Sequence, residues 1–179
     1  MGVMIQLDQS ERLLDAALKY AVRGYPVFPI DPGKIYQDYL PPDKRTNRKP
    51  LVKWGRCATI NPRIIQSWWR KWPLAMIGMP TGQKSGVIVL DIDIKNDQDG
   101  FRSLEEIGTV IPPTPVVART PSGGYHFFYQ APKGYKIKNS ASKIADGVDV
   151  RGDGGMVILP PSHPIEKASY EFEGGALWN

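Results

Sequence analysis

The sequence has few of the residues that build cross-links and histidine-rich metal sites. Its 179 residues include one cysteine, Cys57, and two histidines, His126 and His163. A single cysteine excludes an internal disulfide framework and a cysteine-rich zinc site. Because both histidines lie far from Cys57 in the sequence, histidine-based zinc chemistry is excluded as well. We therefore expect no zinc.

The chain also lacks a long apolar run. No stretch approaches the roughly 20 apolar residues that a membrane-spanning helix needs. The first residues, MGVMIQLDQSERLL, do not form a signal-peptide pattern. These absences predict a soluble, cytoplasmic protein without a membrane partner.

Positive charge is in excess, because 23 Lys and Arg residues oppose 18 Asp and Glu residues. A basic balance is compatible with a phosphate-rich partner, and equally with a solvated loop. One Pro-rich segment holds the basic residues Lys44, Arg45, Arg48, Lys49, Lys53 and Arg56. Arg70 and Lys71 follow between tryptophans in QSWWRKWP. These tryptophans could stack on bases, but their spacing favours a place in the core.

The spacing of apolar residues, together with capping residues, glycines and prolines, predicts a first part of the chain that is helical and rich in loops. One helix is expected over 8–23, opened by a capping box of Asp8 and Glu11 and stopped at Gly24. A second is expected over 61–72 with Asn61 as its cap. A short strand is expected at 25–30, and the segment 31–50 reads as a long loop.

From residue 76 the pattern becomes rich in strands. One helix is expected there, at 100–107. Strands are expected at 76–80, 85–93, 115–120, 125–130, 147–150, 155–160 and 169–173.

The apolar run GVIVLDID carries two carboxylates, Asp91 and Asp93. Side chains alternate along a strand, so these two point to one face while Leu90 and Ile92 point to the other. Two adjacent carboxylates repel each other, and one pKa would rise unless a cation lay between them. Mg²⁺ suits such a pair, since it binds few carboxylates together with water and phosphate oxygens. Incidental acids at a solvated strand end are the alternative.

A calcium loop is excluded at the same place. Aligning Gly100 with the sixth-position glycine of an EF-hand puts Lys95 at the first ligand position, and a lysine side chain cannot coordinate a metal cation. Asp97 and Asp99 are then simply turn residues, with Asp99 a plausible helix cap.

Two later segments add polar groups. In RTPSGGYHFFYQ, the turn Ser122–Gly124 precedes a strand carrying His126. Glycine amides can approach an anion closely, and the serine and histidine can add donors. The serine lies in no nucleophile-elbow pattern, which disfavours a hydrolase. In GVDVRGDGG, Asp149 sits in a strand-like context as a third metal ligand, and Arg151 shares its face and suits a phosphate.

Four segments, in this order and at these spacings, carry a family resemblance: KPLVKW, MIGMPTGQKSGVIVLDID, RTPSGGYHFFY and GVDVRGDGGMVILPPS. Together they resemble the bifunctional DNA primase/polymerase domain of the archaeo-eukaryotic primase superfamily, over nearly the whole chain. The resemblance implies an α+β fold with an RRM-like antiparallel or mixed sheet packed against an N-terminal α/β unit. We expect a single catalytic domain over 1–179, with a loop-rich part at 1–75 and a β-rich part at 76–179. It would be excised from a longer replication protein.

The resemblance also implies roles for the candidate residues. Asp91, Asp93 and Asp149 would be the catalytic carboxylates that hold two Mg²⁺ or Mn²⁺ ions. Nucleotide contacts would come from Ser122, Gly123, Gly124, His126, Arg151 and Arg119. Template contacts would come from Lys49, Lys53, Arg56 and Arg70.

The implied activity is template-directed synthesis or extension of primers from dNTPs or NTPs. The expected partners are single-stranded DNA, a primer and a helicase, in plasmid, phage or mobile-element replication. Two alternatives stay open on the residues: a non-catalytic single-stranded-DNA-binding module of a replication initiator, and a metal-dependent nuclease, for which an acidic triad would serve equally well.

Overall fold

A computed structural model describes residues 2–95 and 97–177 of the chain, with side chains from residue 8 onward. It is of the α+β class, which confirms the predicted class. The helices are α1 (Gly2–Val22), α2 (Trp54–Cys57), α3 (Pro62–Lys71) and α4 (Gly100–Glu106). The strands are β1 (Phe28–Ile30), β2 (Met76–Pro80), β3 (Val87–Ile92), β4 (Ile94–Lys95), β5 (Gln98–Asp99), β6 (Val117–Arg119), β7 (Tyr125–Gln130), β8 (Val148–Arg151), β9 (Met156–Leu159) and β10 (Glu171–Phe172).

The chain forms two compact units. The first comprises the residues up to Met79 together with Ile158–Ser169. The second comprises Pro80–Val157 together with Tyr170–Leu177. Each unit is therefore built from more than one stretch of sequence.

The first unit contains α1, α3, β1, β2 as far as Met79, and β9 from Ile158 onward, and these strands lie in the order β1–β2–β9. Along α1 the buried side chains include Leu13, Ala17 and Tyr20, which recur at helical spacing as the sequence predicts. The helix ends before Gly24, which has a φ of 85° and donates its N–H to the carbonyl of Ala21. A glycine at this position is the expected helix stop, because it adopts a left-handed backbone without strain.

Helix α3 is capped as predicted. The side chain of Asn61 accepts a hydrogen bond from the N–H of Arg63 at 3.0 Å, and Pro62 occupies the first turn. Trp69 is buried and its Nε1 donates to the carbonyl of Ala75 at 3.0 Å, which confirms a core role for this tryptophan. Trp72 is only half-buried, and the ammonium of Lys71 lies 4.7 Å from its ring centroid.

A buried carboxylate orders the long loop after β1. Asp31 is fully buried and accepts hydrogen bonds at 2.9–3.0 Å from three backbone N–H groups, those of residues 33, 35 and 36, and from Nε2 of Gln37. Gln37 is fully buried too, and it bonds both the carbonyl and the N–H of Thr46. The only regular element between 31 and 50 is a 3-10 turn at Pro42–Lys44. The loop is thus held by polar contacts rather than by secondary structure.

The second unit is built on an antiparallel sheet in the order β10–β6–β7–β3–β8. On one face, Ile92 and Val148 pack with Leu104 of α4 in an apolar cluster. Helix α4 is capped by Asp99, whose carboxylate accepts from the N–H groups of Phe101 and Arg102, as predicted. The opposite face carries Asp91, His126 and Asp149, and we call it the carboxylate face.

One local prediction is wrong, and two short elements were not predicted. Helix α1 begins at Gly2 rather than at residue 8, so Asp8 lies inside the helix and cannot form the predicted capping box. The short helix α2 was not predicted. Residues 94–95 and 98–99 pair as the two-residue strands β4 and β5, which were not predicted either, and Asp97 lies in a turn as predicted. In the part of the chain that the structure describes, no helix is long and apolar enough to cross a membrane.

Candidate active site

Three adjacent strands bring polar side chains into one row on the carboxylate face. In the register of the sheet, Asp91 of β3 is opposite His126 of β7 on one side and Asp149 of β8 on the other. Directly opposed residues of antiparallel strands point to the same face. The sheet therefore gathers residues that lie 35 and 58 positions from Asp91 in sequence.

Asp93 continues the row just beyond the end of β3. Its N–H donates to the carbonyl of Gly147 at 2.8 Å, and its carbonyl accepts from the N–H of Gly100 at 3.0 Å. Its Oδ2 lies 2.9 Å from Nζ of Lys95. This carboxylate is therefore positioned by backbone bonds and already has a cationic partner.

Arg151 binds two of the carboxylates with the same nitrogen. Its Nη2 lies 2.8 Å from Oδ2 of Asp91 and 2.7 Å from Oδ2 of Asp149, and its Nε donates to Oδ2 of Asp91 at 3.1 Å. The side chains of both acids are 13% exposed and that of Arg151 is 29% exposed. A guanidinium cation thus lies between two largely buried carboxylates.

The electrostatics of the row are set by burial and by these contacts. Burial alone would raise the pKa of Asp91, but the hydrogen bonds and charges of His126 and Arg151 outweigh it and lower that pKa to about 2. Burial would likewise lower the pKa of Arg151, yet the hydrogen bond to Asp91 and the charges of Asp91, Asp149 and Asp93 raise it. The site therefore holds an ionised Asp91 beside a permanent cation.

His126 is buried beside these acids. Its Nε2 lies 3.4 Å from Oδ1 of Asp91, and its ring packs near those of Phe128 and Tyr170. Nδ1 is buried and has no hydrogen-bond partner among the described residues. A buried ring nitrogen without a partner is uncommon, because leaving it unpaired costs its hydration.

The glycine turn before β7 packs closely on β3. Gly123 has a φ of 90°, which favours glycine, and Ser122 is exposed with its Oγ 3.1 Å from Oγ1 of Thr120. A side chain at Gly124 would collide with the carbonyl oxygen of Ile92. Glycine is therefore required at both positions by the backbone structure, whether or not the two amides also bind an anion.

The remaining predicted residues lie elsewhere. Arg119 is exposed on β6 next to the buried Ala118, which is opposite His126, so alternation places Arg119 on the other face of the sheet from the carboxylates. The predicted template contacts lie in the first unit. Lys53, Arg56 and Arg70 are exposed there, and Nζ of Lys49 lies 5.6 Å from the ring centroid of Tyr39.

The acids of the site are suited to a divalent cation, because their donor atoms are carboxylate oxygens and because they already contact a cationic side chain. Among residues 2–95 and 97–177, no group of three or more His, Cys, Asp or Glu side chains is arranged to hold a metal ion. Oxygens of Asp91 and Asp149 nevertheless converge on one cationic nitrogen, that of Arg151. Carboxylate oxygens are also the ligands that Mg²⁺ and Mn²⁺ prefer. The guanidinium of Arg151 thus contacts both Oδ2 atoms.

Two residues that contact the acids, Lys95 and Ser142, were not among the predicted site residues. Lys95 pairs with Asp93, and the backbone N–H of Ser142 donates to Oδ1 of Asp149 at 2.9 Å. The alternation that places Asp91 and Asp93 on one face also reaches Lys95, which was a usable signal. Nothing in the sequence marks Ser142, because its role depends on a backbone group of a distant loop.

Comparison with known proteins identifies the family of the chain. The sequence model of the family described as "Bifunctional DNA primase/polymerase, N-terminal" matches residues 17–176. The match covers nearly the whole chain and confirms the resemblance carried by the four segments. No curated protein matches the sequence.

Proposed function

Because the chain belongs to the bifunctional DNA primase/polymerase family, we propose that it is a nucleotidyltransferase that synthesises or extends primers on a DNA template. The observation that carries this proposal is the row of Asp149, Asp91 and His126 on three adjacent strands. Acids and a phosphate-compatible histidine side by side are what the transfer of a nucleotide requires. No protein nucleophile is needed.

Divalent cations, Mg²⁺ or Mn²⁺, would be held by Asp91, Asp149 and Asp93. When bound, such ions activate the primer 3′-hydroxyl and neutralise charge on the triphosphate. The depressed pKa of Asp91 keeps this acid ionised at any physiological pH, so it is ready to coordinate a cation without first losing a proton.

The chain's own donors would orient the nucleotide. His126 and Arg151 are placed beside the acids and can bind phosphate oxygens, while Ser122 and the amides of Gly123 and Gly124 can approach the triphosphate from the turn before β7. In the reaction the 3′-oxygen forms a bond to the α-phosphorus, and the bond from that phosphorus to the leaving pyrophosphate breaks. Donors aimed at the phosphates stabilise the charge that grows on the leaving group.

The template and primer would be bound by basic residues of the first unit. Lys49, Lys53, Arg56 and Arg70 supply positive charge suited to a phosphate backbone. Replication of a plasmid, phage or other mobile element, with a helicase acting alongside, is the setting that we propose for this activity.

Primer extension tests the proposal. With Mg²⁺ or Mn²⁺ and a labelled primer–template, Asp91→Ala and Asp149→Ala should each reduce incorporation by at least about 100-fold, because each would remove a ligand of the cations that neutralise charge on the triphosphate. Glu106→Ala is the matched control, since Glu106 is an exposed acid paired with Arg102 on α4, and it should retain activity.

Two results would contradict the proposal in different ways. Undiminished synthesis by both aspartate variants would overturn the site assignment. DNA cleavage without nucleotides would indicate a nuclease, and binding of single-stranded DNA without incorporation would indicate a binding module.

A further inference from the structure

All four carboxylate oxygens of Asp91 and Asp149 are engaged within the protein. Oδ1 of Asp91 faces Nε2 of His126, and Oδ1 of Asp149 accepts the N–H of Ser142. Both Oδ2 atoms contact Nη2 of Arg151. A divalent cation held by both Oδ2 atoms would therefore compete with Nη2 of Arg151 for them.

Arg151 is the partner that can leave. The N–H of Ser142 is a backbone group, and His126 is buried in β7 between aromatic rings. Arg151, in contrast, reaches the acids with a long side chain that remains 29% exposed. Rotation about its side-chain bonds frees both Oδ2 atoms at once without moving a strand.

Arg151 also has an electrostatic reason to contact both acids. Asp91 and Asp149 are opposed in the register of β3 and β8, and like charges directly opposite each other destabilise a sheet. A guanidinium shared between them removes that repulsion. The same Oδ2 atoms would serve a metal ion for the same electrostatic reason.

We infer that Arg151 is an internal counter-ion of the carboxylate row, which occupies the position of a divalent cation in the metal-free protein and leaves when that cation binds. The released guanidinium then becomes available to a phosphate of the incoming nucleotide. Metal binding and nucleotide binding are thereby coupled through one side chain. This inference rests on the proposed function, because it takes the carboxylate row to be a metal site.

Binding of Mn²⁺ alone tests the inference without any turnover. Free Mn²⁺ is measured by electron paramagnetic resonance in titrations of the wild type, Arg151→Met and Arg151→Lys. Arg151→Met should bind Mn²⁺ about tenfold more tightly, because one charge-assisted contact is worth on the order of a tenfold change in an equilibrium constant. Arg151→Lys, which keeps a charge but not the planar fork, should fall between the two.

Thermal unfolding supplies a second readout. Metal-free Arg151→Met should unfold at a lower temperature than the wild type, since the two acids then repel each other, and saturating Mn²⁺ should raise its unfolding temperature more than that of the wild type. Arg102→Met is the matched control. It removes an arginine from an exposed ion pair with Glu106 and should change neither quantity.

The outcomes separate this inference from the proposed function. Folded Arg151→Met and Arg151→Lys that bind Mn²⁺ no more tightly than the wild type would overturn the counter-ion role, even if primer extension succeeds. If Arg151→Met binds Mn²⁺ more tightly but the wild type does not extend primers, the counter-ion role is supported and the proposed polymerase function is rejected. Absence of Mn²⁺ binding by every variant would overturn the inference, whereas primer extension alone decides the function.

Discussion

At the scale of single residues, the behaviour of Asp91 is set by competition between burial and charge. Its side chain is 13% exposed, an environment that on its own favours the neutral acid. His126 and Arg151 reverse that preference and lower its pKa from the ordinary 3.8 to about 2. A depressed pKa in the folded state means that ionised Asp91 stabilises the fold.

Asp91→Asn should therefore show a pH-dependent loss of stability in metal-free protein. The contribution of the carboxylate is fully present above pH 3.8 and is lost as the pH falls through about 2. Near pH 7 the variant should lose on the order of 2 kcal/mol of unfolding free energy. Denaturant unfolding between pH 7 and pH 2 measures this.

The gap between the wild type and Asp91→Asn should narrow as acid is added. The control for loss of one negative charge is Asp97→Asn, at an exposed turn residue. A gap of constant size across the whole pH range would show that the ionisation of Asp91 contributes nothing to the stability of the fold.

Residue-scale reasoning from the sequence could find the acids but not their partners. Alternation along β3 predicts that Asp91 and Asp93 share a face, because the period of a strand is fixed by its geometry. That Asp149 lies opposite Asp91 depends on the register of β8, which a single sequence does not specify. The bridge formed by Arg151 follows from that register and was equally hidden.

At the scale of elements, predictions from short sequence patterns are confirmed where a side chain binds the backbone within a few residues of itself. Asn61 and Asp99 cap α3 and α4 as predicted, because a cap needs only an acceptor at one position. Helix α2 and the β4–β5 hairpin are too short to show periodicity, with four residues in the first and two in each strand of the second. Whether such short elements form depends on their contacts with the rest of the chain.

The cap of α3 gives an element-scale prediction. Asn61→Ala removes the acceptor for the N–H of Arg63 and should lower the unfolding free energy by about 1 kcal/mol. Chemical denaturation followed by circular dichroism measures the change. Asn47→Ala, at an exposed loop asparagine, should leave stability within about 0.5 kcal/mol of the wild type. Equal effects of the two substitutions would argue against a capping role.

At the scale of the whole molecule, the net charge of +5 gives a prediction about salt. If Lys53, Arg56 and Arg70 each contact a phosphate, replacing one by alanine should reduce the slope of log affinity against log salt by about 0.7 for single-stranded DNA. Fluorescence anisotropy at several salt concentrations measures this slope.

Lys19 provides the control for that measurement. It is exposed on α1 and paired with Asp15, so Lys19→Ala should leave the slope unchanged. If the substitutions of Lys53, Arg56 and Arg70 give the wild-type slope just as Lys19→Ala does, these residues do not form the template-binding surface.

The division of the chain also has a consequence for the order in which the protein is made. The first unit needs the late segment Ile158–Ser169, because Tyr20 donates to the carbonyl of Pro160 and the N–H of Ile77 donates to Ser162. A ribosome makes the chain from its amino terminus, so residues 80–157 are all synthesised before these bonds can form. The first unit can therefore be completed only after residues 80–157 have been made, and the second unit, which needs Tyr170–Leu177, is completed later still.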